Sequence, residues 1–135
     1  GLGAPVGSAL VGSRALIGRA HRLRKMLGGG MRQAGVLAAA ALHALDHHVE
    51  RLAEDHANAR RLAEGLGDLP GVKVTPPQTN IVFIDLAPDR AAGVVERLRS
   101  AGVLCTGLLK LRLVTHLDVS SAQVDEALHI LRATL

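Results

Sequence analysis

Aromatic side chains are almost absent from this sequence, which contains one phenylalanine and neither tryptophan nor tyrosine. Any hydrophobic core must therefore be built from leucine, valine, isoleucine and alanine. The same shortage argues against binding of single-stranded nucleic acid, because single strands are commonly held by stacking of bases on aromatic rings. The 135 residues are otherwise of ordinary globular composition, with 48% hydrophobic and 21% charged residues.

Cysteine is equally scarce, since Cys105 is the only one. A single cysteine excludes an internal disulfide framework and fits a reducing compartment. Because Cys105 ends the apolar run Val103–Cys105, we predict a buried small hydrophobe rather than a nucleophile. The uncharged residues 1–13 are too short and too rich in glycine to span a bilayer, and they lack the basic leader of a secretory signal. We therefore expect a cytoplasmic protein with no membrane partner.

Acidic residues are missing from the first 45 positions, which carry six bases: Arg14, Arg19, Arg22, Arg24, Lys25 and Arg32. The remainder holds ten bases and twelve acids, so the formal net charge of +4 arises wholly in the first third. Such asymmetry indicates an anionic partner. A phosphate-bearing cofactor and nucleic acid both fit, and so does a solvated basic helix face that binds nothing.

The first half of the chain has mainly helical patterns. A short apolar strand is predicted over Ala4–Val11, followed by a basic helix over Ala15–Met26 that ends at the three glycines Gly28–Gly30. An alanine-rich segment from Met31 becomes amphipathic after Asp46 and continues to Leu66. We predict one long helix there, passing from a buried to an exposed environment between two domains.

The second half has an α/β pattern. Strands are predicted at "VKVT", "NIVFIDL", "VLCT" and "LKLRLVTHL", and a helix at "DRAAGVVERLRSAG" with Asp89 as N-cap and Gly102 as stop. In the last helix Ser120 and Gln123 form a predicted capping box. Its buried stripe is predicted to be Val124, Leu128, Leu131 and Leu135. Together these elements predict a small α+β layer with helices on one face of a sheet.

The strand "LLKLRLVTHL" presents a candidate binding residue. Alternate side chains of a strand point to opposite faces. One face therefore has Leu109, Leu111 and Leu113, and the other has Lys110, Arg112 and Val114. If the leucines meet the helices, Arg112 points away from the core. An arginine held on a strand suits bidentate recognition of a carboxylate. A solvent-facing arginine is the competing interpretation.

The segment "LGGGMRQ" is a second candidate, for an anion. Glycines ahead of a predicted helix allow close approach of the backbone, free amides point at the ligand, and Arg32 is expected in the first turn. The pattern is neither GxGxxG nor Walker A, so alone it is a weak phosphate signal. His43, His47 and His48 lack the glutamate of a zinc helix, and we predict a helix surface without metal. His116, which follows a predicted strand at "THLD", is a further candidate functional residue. The alternative is a histidine with a purely structural role.

Five segments resemble, in order and spacing, the C-terminal part of the low-specificity L-threonine aldolases: "GLGAPVGS.LVGS", "RLRKMLGGGMRQAGVLAAAALHAL", "EDHANARRLAEGL", "TNIVFIDL" and "LRLVTHLDVS". The resemblance covers essentially the whole chain. These are pyridoxal-phosphate enzymes of the aspartate-aminotransferase fold. The resemblance implies an α/β fold in which residues 1–50 end the large fold type I domain and start the linking helix, and residues 51–135 form the small C-terminal α+β domain.

The resemblance also implies roles for individual residues. Arg112 matches the arginine that holds the substrate α-carboxylate, and Lys25 matches a lysine near the active-site entrance that contacts substrate. Arg32 matches an arginine that approaches the phosphate of pyridoxal 5'-phosphate from a neighbouring subunit. The family's Schiff-base lysine would stand immediately before Gly1, so no catalytic residue is expected among the 135.

The implied reaction cleaves a β-hydroxy-α-amino acid, a small-molecule substrate, to glycine and an aldehyde. The implied assembly is a homo-oligomer, a tetramer built as a dimer of dimers, with no nucleic acid and no membrane partner. An interpretation from a different class stays open beside this one. The chain could be an independent α/β module whose basic first third binds phosphate or nucleic acid.

Overall fold

The computed structural model describes residues 1–107 and 110–135. These residues contain six helices and four strands. The helices are α1 Arg14–Met26, α2 Gly35–His47, α3 Leu52–Leu66, α4 Pro88–Ala91, α5 Val94–Ser100 and α6 Ser121–Thr134. The strands are β1 Val72–Thr75, β2 Ile81–Leu86, β3 Thr106–Gly107 and β4 Leu111–Val114.

The chain divides into two compact units. Residues 2–49, with α1 and α2, form the N-terminal unit, and residues 50–135 together with Gly1 form the C-terminal unit. The prediction of one long helix from Met31 to Leu66 is wrong, because α2 ends at His47 and α3 begins at Leu52. Three weak helix formers in succession, His47 to Val49, account for the interruption. The assignment of residues 1–50 to a larger domain stays a prediction.

The C-terminal unit is built on an antiparallel sheet with strand order β1-β2-β4-β3. Helices α3, α5 and α6 share one core with the inward-facing side chains of the strands. The buried members of that core are Ala59, Leu62, Leu66, Val72, Val82, Ile84, Val94, Leu98, Leu111, Leu113, Val124 and Leu131. The core is therefore aliphatic, as predicted, and Phe83 is outside it with 38% of its surface exposed. The predicted α+β layer with helices on one face is confirmed.

Helix α6 forms as its sequence predicts. The Ser120 side chain accepts a hydrogen bond from the backbone of Gln123, and the Gln123 side chain accepts one from the backbone N–H of Ser120, which completes the capping box. Val124 and Leu131 are buried, and Leu128 and Leu135 pack against the same core. The predicted stripe is thus the face that attaches α6 to the rest of the unit.

Three predicted strands differ from the structure. The strand predicted at "LKLRLVTHL" is shorter than expected, because β4 ends at Val114. Residues 4–11 form no strand, and Pro5 and Gly7 explain this, since proline lacks a donor and glycine weakens an extended segment. In "VLCT", strand β3 begins only at Thr106, so Val103–Cys105 precede it. Leu109, predicted to face inward in the following strand, lies outside the described residues.

The predicted helix at "DRAAGVVERLRSAG" is two helices. Ala87 and not Asp89 is the N-cap of α4, because Pro88 occupies the first helical position, for which its fixed φ is suited. Gly93 adopts φ +68°, a left-handed conformation, and separates α4 from α5. The predicted stop is confirmed, since Gly102 has φ +92° and the N–H of Val103 donates to the carbonyl of Leu98 at 2.8 Å.

Candidate functional site

Arg112 occupies the outward position predicted for it in β4. Its neighbours Leu111 and Leu113 are buried, with 4% and 5% of their surfaces exposed, whereas Arg112 is half-buried. In the sheet Arg112 pairs with Phe83 of β2 on one side and with Thr106 of β3 on the other. The side chain is therefore presented by a strand with a neighbour on each side, on the face opposite the helices.

Arg112 differs from its neighbour Lys110 in that its positive charge is not paired with a carboxylate of the described residues. Lys110 is bound to Asp85, with 2.9 Å between Nζ and Oδ2. Asp85 also lies opposite Lys73 in the backbone register of β1 and β2, without an ion pair between the two side chains among the described residues. Within residues 1–107 and 110–135, no ion pair joins the Arg112 guanidinium to a carboxylate. A planar guanidinium in this position can donate two parallel hydrogen bonds to one carboxylate.

The glycine segment in the N-terminal unit forms the predicted end of α1. Gly28 has φ +85°, and the N–H groups of Gly28 and Gly29 donate to the carbonyls of Lys25 and Arg24 at 3.2 and 2.7 Å. This pair of bonds is a Schellman motif, which closes the helix. Gly30 has φ +140°, and a Cβ built there would come within 3.2 Å of Lys25 Nζ. The Lys25 side chain therefore occupies the space that a side chain at position 30 would need.

Arg32 is not in the first turn of a helix, contrary to prediction. Helix α2 begins at Gly35, three positions later, and Arg32 is exposed in the preceding connection. Gln33 adopts φ +50°, a left-handed conformation that is uncommon for a residue with a side chain and that interrupts the helical path. The N-cap, Ala34, makes no side-chain hydrogen bond to the helix. The sequence offers no capping residue here, which is why the helix start was misplaced.

Cys105 has the environment of a packing residue. It is partly buried against the core, and burial raises the pKa of its thiol. A raised pKa keeps the group protonated at neutral pH, whereas a nucleophile needs the thiolate. Packing of Cys105 against the apolar core is confirmed, but the prediction that it is buried is wrong, because it is only partly buried.

The histidines have local partners. His43 lies with its ring centroid 4.5 Å from that of His47 and 5.3 Å from that of His48. His48 Nδ1 is 2.6 Å from the carbonyl oxygen of Leu2. His116 is half exposed and accepts at Nδ1 a hydrogen bond from the backbone of Asp118, at 3.3 Å. Among the described residues, no group of three or more histidine, cysteine, aspartate or glutamate side chains is arranged to hold a metal ion.

A buried polar cluster beside β4 was not predicted. The hydroxyl of Thr115 donates to the backbone carbonyl of Asp55 at 2.7 Å, and the backbone of Thr115 is bonded to Asn80. The Asp55 carboxylate is fully buried and accepts two hydrogen bonds from Arg51, at 2.7 and 3.2 Å. That contact is the main cause of a raised pKa of Arg51. The Arg51–Asp55 spacing of four residues is a helical pair that the sequence could have indicated.

The predicted site residues thus fall in both units. Lys25, Arg32 and the glycine segment belong to the N-terminal unit, where the Lys25 side chain lies close to Gly30. Arg112 belongs to the C-terminal unit, with the cluster around Thr115.

Solved structures with a similar fold are pyridoxal-phosphate enzymes and transaminases. A transaminase determined with L-alanine superposes with a TM-score of 0.64 and 21% identity, over 90% of this chain and 34% of that one. A mutant of the lyase C-DES, with glycine covalently linked to its PLP cofactor, gives a TM-score of 0.60 and 22% identity, over 76% and 29%. The fold is accordingly that of the fold type I pyridoxal-phosphate-dependent enzymes, as the sequence resemblance implied.

The sequence comparisons identify the family. A model of the beta-eliminating lyases matches residues 1–89, and the chain belongs to this beta-eliminating lyase family. It is 49% identical to the low specificity L-threonine aldolase of Escherichia coli strain K12 over 135 residues, which are 100% of this chain and 40% of that protein. It is 45% identical to the probable low-specificity L-threonine aldolase 2 of Arabidopsis thaliana, over 95% of this chain and 38% of that protein.

The chain spans about two fifths of the length of the curated relatives that it matches. Membership of an enzyme family favours the interpretation of the chain as part of such an enzyme over that of an independent phosphate- or nucleic-acid-binding module. Within residues 1–107 and 110–135, no helix combines the length and apolar character that crossing a membrane requires.

Proposed function

We propose that the chain is the C-terminal part of a pyridoxal-phosphate-dependent aldolase that cleaves L-threonine and L-allo-threonine to glycine and acetaldehyde. The 49% identity to the Escherichia coli low specificity L-threonine aldolase over the whole chain supports the substrate class. The structural observation that carries the proposal is the outward position of Arg112 on β4, flanked by Phe83 and Thr106.

Arg112 binds the α-carboxylate of the amino acid. The substrate and the product glycine share this group, so one guanidinium orients both. A bidentate contact from a strand holds the Cα–Cβ bond in a fixed direction, and orientation of the reacting bond is a large part of what such sites contribute. The cofactor, when bound, supplies an electron sink for the negative charge that develops on Cα as the Cα–Cβ bond breaks.

Arg32 and Lys25 act in the N-terminal unit. The first 45 residues have six bases and no acid, which suits the dianionic phosphate of pyridoxal 5'-phosphate. Arg32, exposed beside the glycine segment, donates to this phosphate, and the phosphate is the one held by a neighbouring subunit. Lys25 lies at the active-site entrance and attracts the substrate carboxylate toward it.

The catalytic lysine is assigned to none of the 135 residues. The full-length enzyme supplies it, and the chain alone lacks the base and the covalent attachment that the reaction needs. The full-length enzyme is proposed to be a cytoplasmic homo-oligomer, a tetramer formed as a dimer of dimers. Sedimentation of the full-length enzyme tests this, since a monomer would contradict a phosphate contact made between subunits.

The direct test of the activity compares the full-length enzyme with the 135-residue chain. Both are incubated with L-threonine and pyridoxal 5'-phosphate, and glycine and acetaldehyde are measured. The full-length enzyme is expected to release the two products in equal amounts and the chain to release neither. Absence of glycine from the cofactor-loaded full-length enzyme, or turnover by the isolated chain, would contradict the proposal.

A further inference from the structure

Thr115 follows β4 directly and is bonded on three sides. Its hydroxyl donates to the Asp55 carbonyl of α3 at 2.7 Å. Its backbone N–H donates to the carbonyl of Asn80 at 3.0 Å, and its carbonyl accepts from Asn80 Nδ2 at 2.7 Å. Only 1% of its surface is exposed. These bonds tie the carboxyl end of β4 to the start of β2 and to the first turn of α3.

The hydroxyl of Thr115 distinguishes one strand register from others. The inward-facing row of β4 consists of Leu111 and Leu113 and continues to Thr115, which is its polar member. Two leucines fit an apolar core in more than one register, because either can take the other's place. The Thr115 hydroxyl reaches the Asp55 carbonyl in only one of these registers. A slip of two residues would keep leucines on the inner face but would move Arg112 away from Phe83 and Thr106.

The acceptor on α3 is itself fixed. The buried Asp55 carboxylate is held by both terminal nitrogens of Arg51. On the other side of β4, strand β3 pairs only with Leu111 and Arg112 among the described residues. The last two residues of β4 therefore depend on β2 and on the Thr115 contacts to keep their place.

We propose that Thr115 is a positioning residue, which fixes the register of β4 and so holds Arg112 between Phe83 and Thr106, where it binds the substrate carboxylate. Asn80 contributes to the same positioning, because it bonds both the N–H and the carbonyl of Thr115. This inference rests on the proposed function, because it gives Thr115 its effect through Arg112.

The test measures glycine binding to the full-length enzyme saturated with pyridoxal 5'-phosphate, by isothermal titration. Thr115→Val keeps the side-chain shape and removes the donor, and it should raise the Kd of glycine about tenfold. Thr115→Ser keeps the donor and should stay within about 1.5-fold of the parent. The Kd of the cofactor, measured separately, should change by less than threefold in both variants.

A core variant separates positioning from general destabilisation. Leu66→Val weakens the same core at the far end of α3, about 16 Å from Asp55 along the helix. It should lower the melting temperature at least as much as Thr115→Val and leave the glycine Kd unchanged. If Leu66→Val weakens glycine binding equally, Thr115 is merely structural and the inference is overturned.

The Arg112→Ala background shows whether Thr115 acts through Arg112. In that background Thr115→Val should change the glycine Kd by less than twofold, since the group that it positions is gone. A further tenfold loss would overturn the inference. If Thr115→Val does not accumulate as folded enzyme, Asn80→Ala replaces it with an expected loss of about threefold, and an unchanged Kd overturns the inference.

The same titrations distinguish failure of this inference from failure of the proposed function. If Arg112→Ala weakens glycine binding and Thr115→Val does not, the function stands and the inference fails. If Arg112→Ala itself leaves glycine binding unchanged, Arg112 does not bind the carboxylate, and the proposed function is contradicted along with the inference that rests on it.

Discussion

Arg112 lies directly opposite Phe83 in the antiparallel pairing of β4 with β2. Both side chains project from the face opposite the helices, and Phe83, the single aromatic residue, is 38% exposed there. Directly opposite residues of an antiparallel pair have side chains close enough to interact, so we expect the ring to shield part of the Arg112 side chain from water. An ion pair is stronger where water is excluded. The position of Phe83 thus favours the binding of a carboxylate by Arg112.

Removal of this ring should weaken substrate binding modestly. Phe83→Ala in the full-length enzyme is expected to raise the glycine Kd about two- to threefold, in keeping with the worth of one cross-strand pair. Phe83→Leu keeps apolar cover and serves as the control, with a Kd near that of the parent. A Kd that is the same for Phe83→Ala and the parent would show that the pairing does not matter for binding.

The outward position of Arg112 could be predicted from the sequence because strand alternation depends on residues next to each other in the chain. The same holds for the capping box of Ser120 and for the glycine-closed helix ends at Gly28 and Gly102, where local chemistry decides the conformation. These features needed no knowledge of the tertiary structure.

Features that depend on distant residues were not predicted. The bond from Thr115 to Asp55 joins residues 60 positions apart, and the bonds between Asn80 and Thr115 span 35. Nothing near Thr115 in the sequence marks it as buried. The start of α2 could not be predicted because no capping residue marks it and because Gln33 adopts a left-handed φ that glycine, not glutamine, ordinarily signals.

Loss of Arg32 should affect the cofactor rather than the substrate. Arg32→Ala is expected to raise the Kd of pyridoxal 5'-phosphate roughly 10- to 100-fold, the usual range for a lost charge-assisted hydrogen bond. At saturating cofactor the glycine Kd should stay within about threefold of the parent. Arg19→Ala removes an equal charge from the same basic segment and is the control. Equal losses in the two variants would indicate a general electrostatic effect instead of a phosphate contact.

The Asp68–Arg132 pair should give a pH-dependent contribution to stability. Arg132 binds Asp68 at 2.6 and 3.0 Å and lowers the pKa of that carboxyl from its ordinary value of 3.8. A lowered folded-state pKa stabilises the protein above the unfolded pKa, and this contribution disappears as pH falls through the folded pKa. Asp68→Asn should therefore melt at a lower temperature than the parent between pH 7 and 5, with the difference shrinking below about pH 4.

The control for this pair is Glu96→Gln, because Glu96 is 4.0 Å from Arg99 and both side chains are largely exposed. Its melting temperature should follow that of the parent at every pH. If the deficit of Asp68→Asn instead grows as the pH falls, the sign of the linkage is wrong.

Cys105 should react slowly and should be dispensable. Burial raises the pKa of its thiol, so the thiolate fraction at pH 8 is smaller than that of a free cysteine. Alkylation by iodoacetamide under native conditions should be slower than in urea and should accelerate as pH rises. Cys105→Ala should retain full aldolase activity. Rapid alkylation at pH 7 with loss of activity would assign the thiol a chemical role.

The central claim, that Arg112 holds the substrate carboxylate, is tested most directly by titrating Arg112→Ala with glycine and with cofactor in the full-length enzyme. Glycine binding should weaken roughly 30- to 1000-fold, equivalent to about 2 to 4 kcal/mol, because a bidentate charge-assisted contact is lost. Binding of pyridoxal 5'-phosphate should stay within threefold of the parent. An Arg112→Ala enzyme that loses its cofactor but keeps its affinity for glycine would contradict the account.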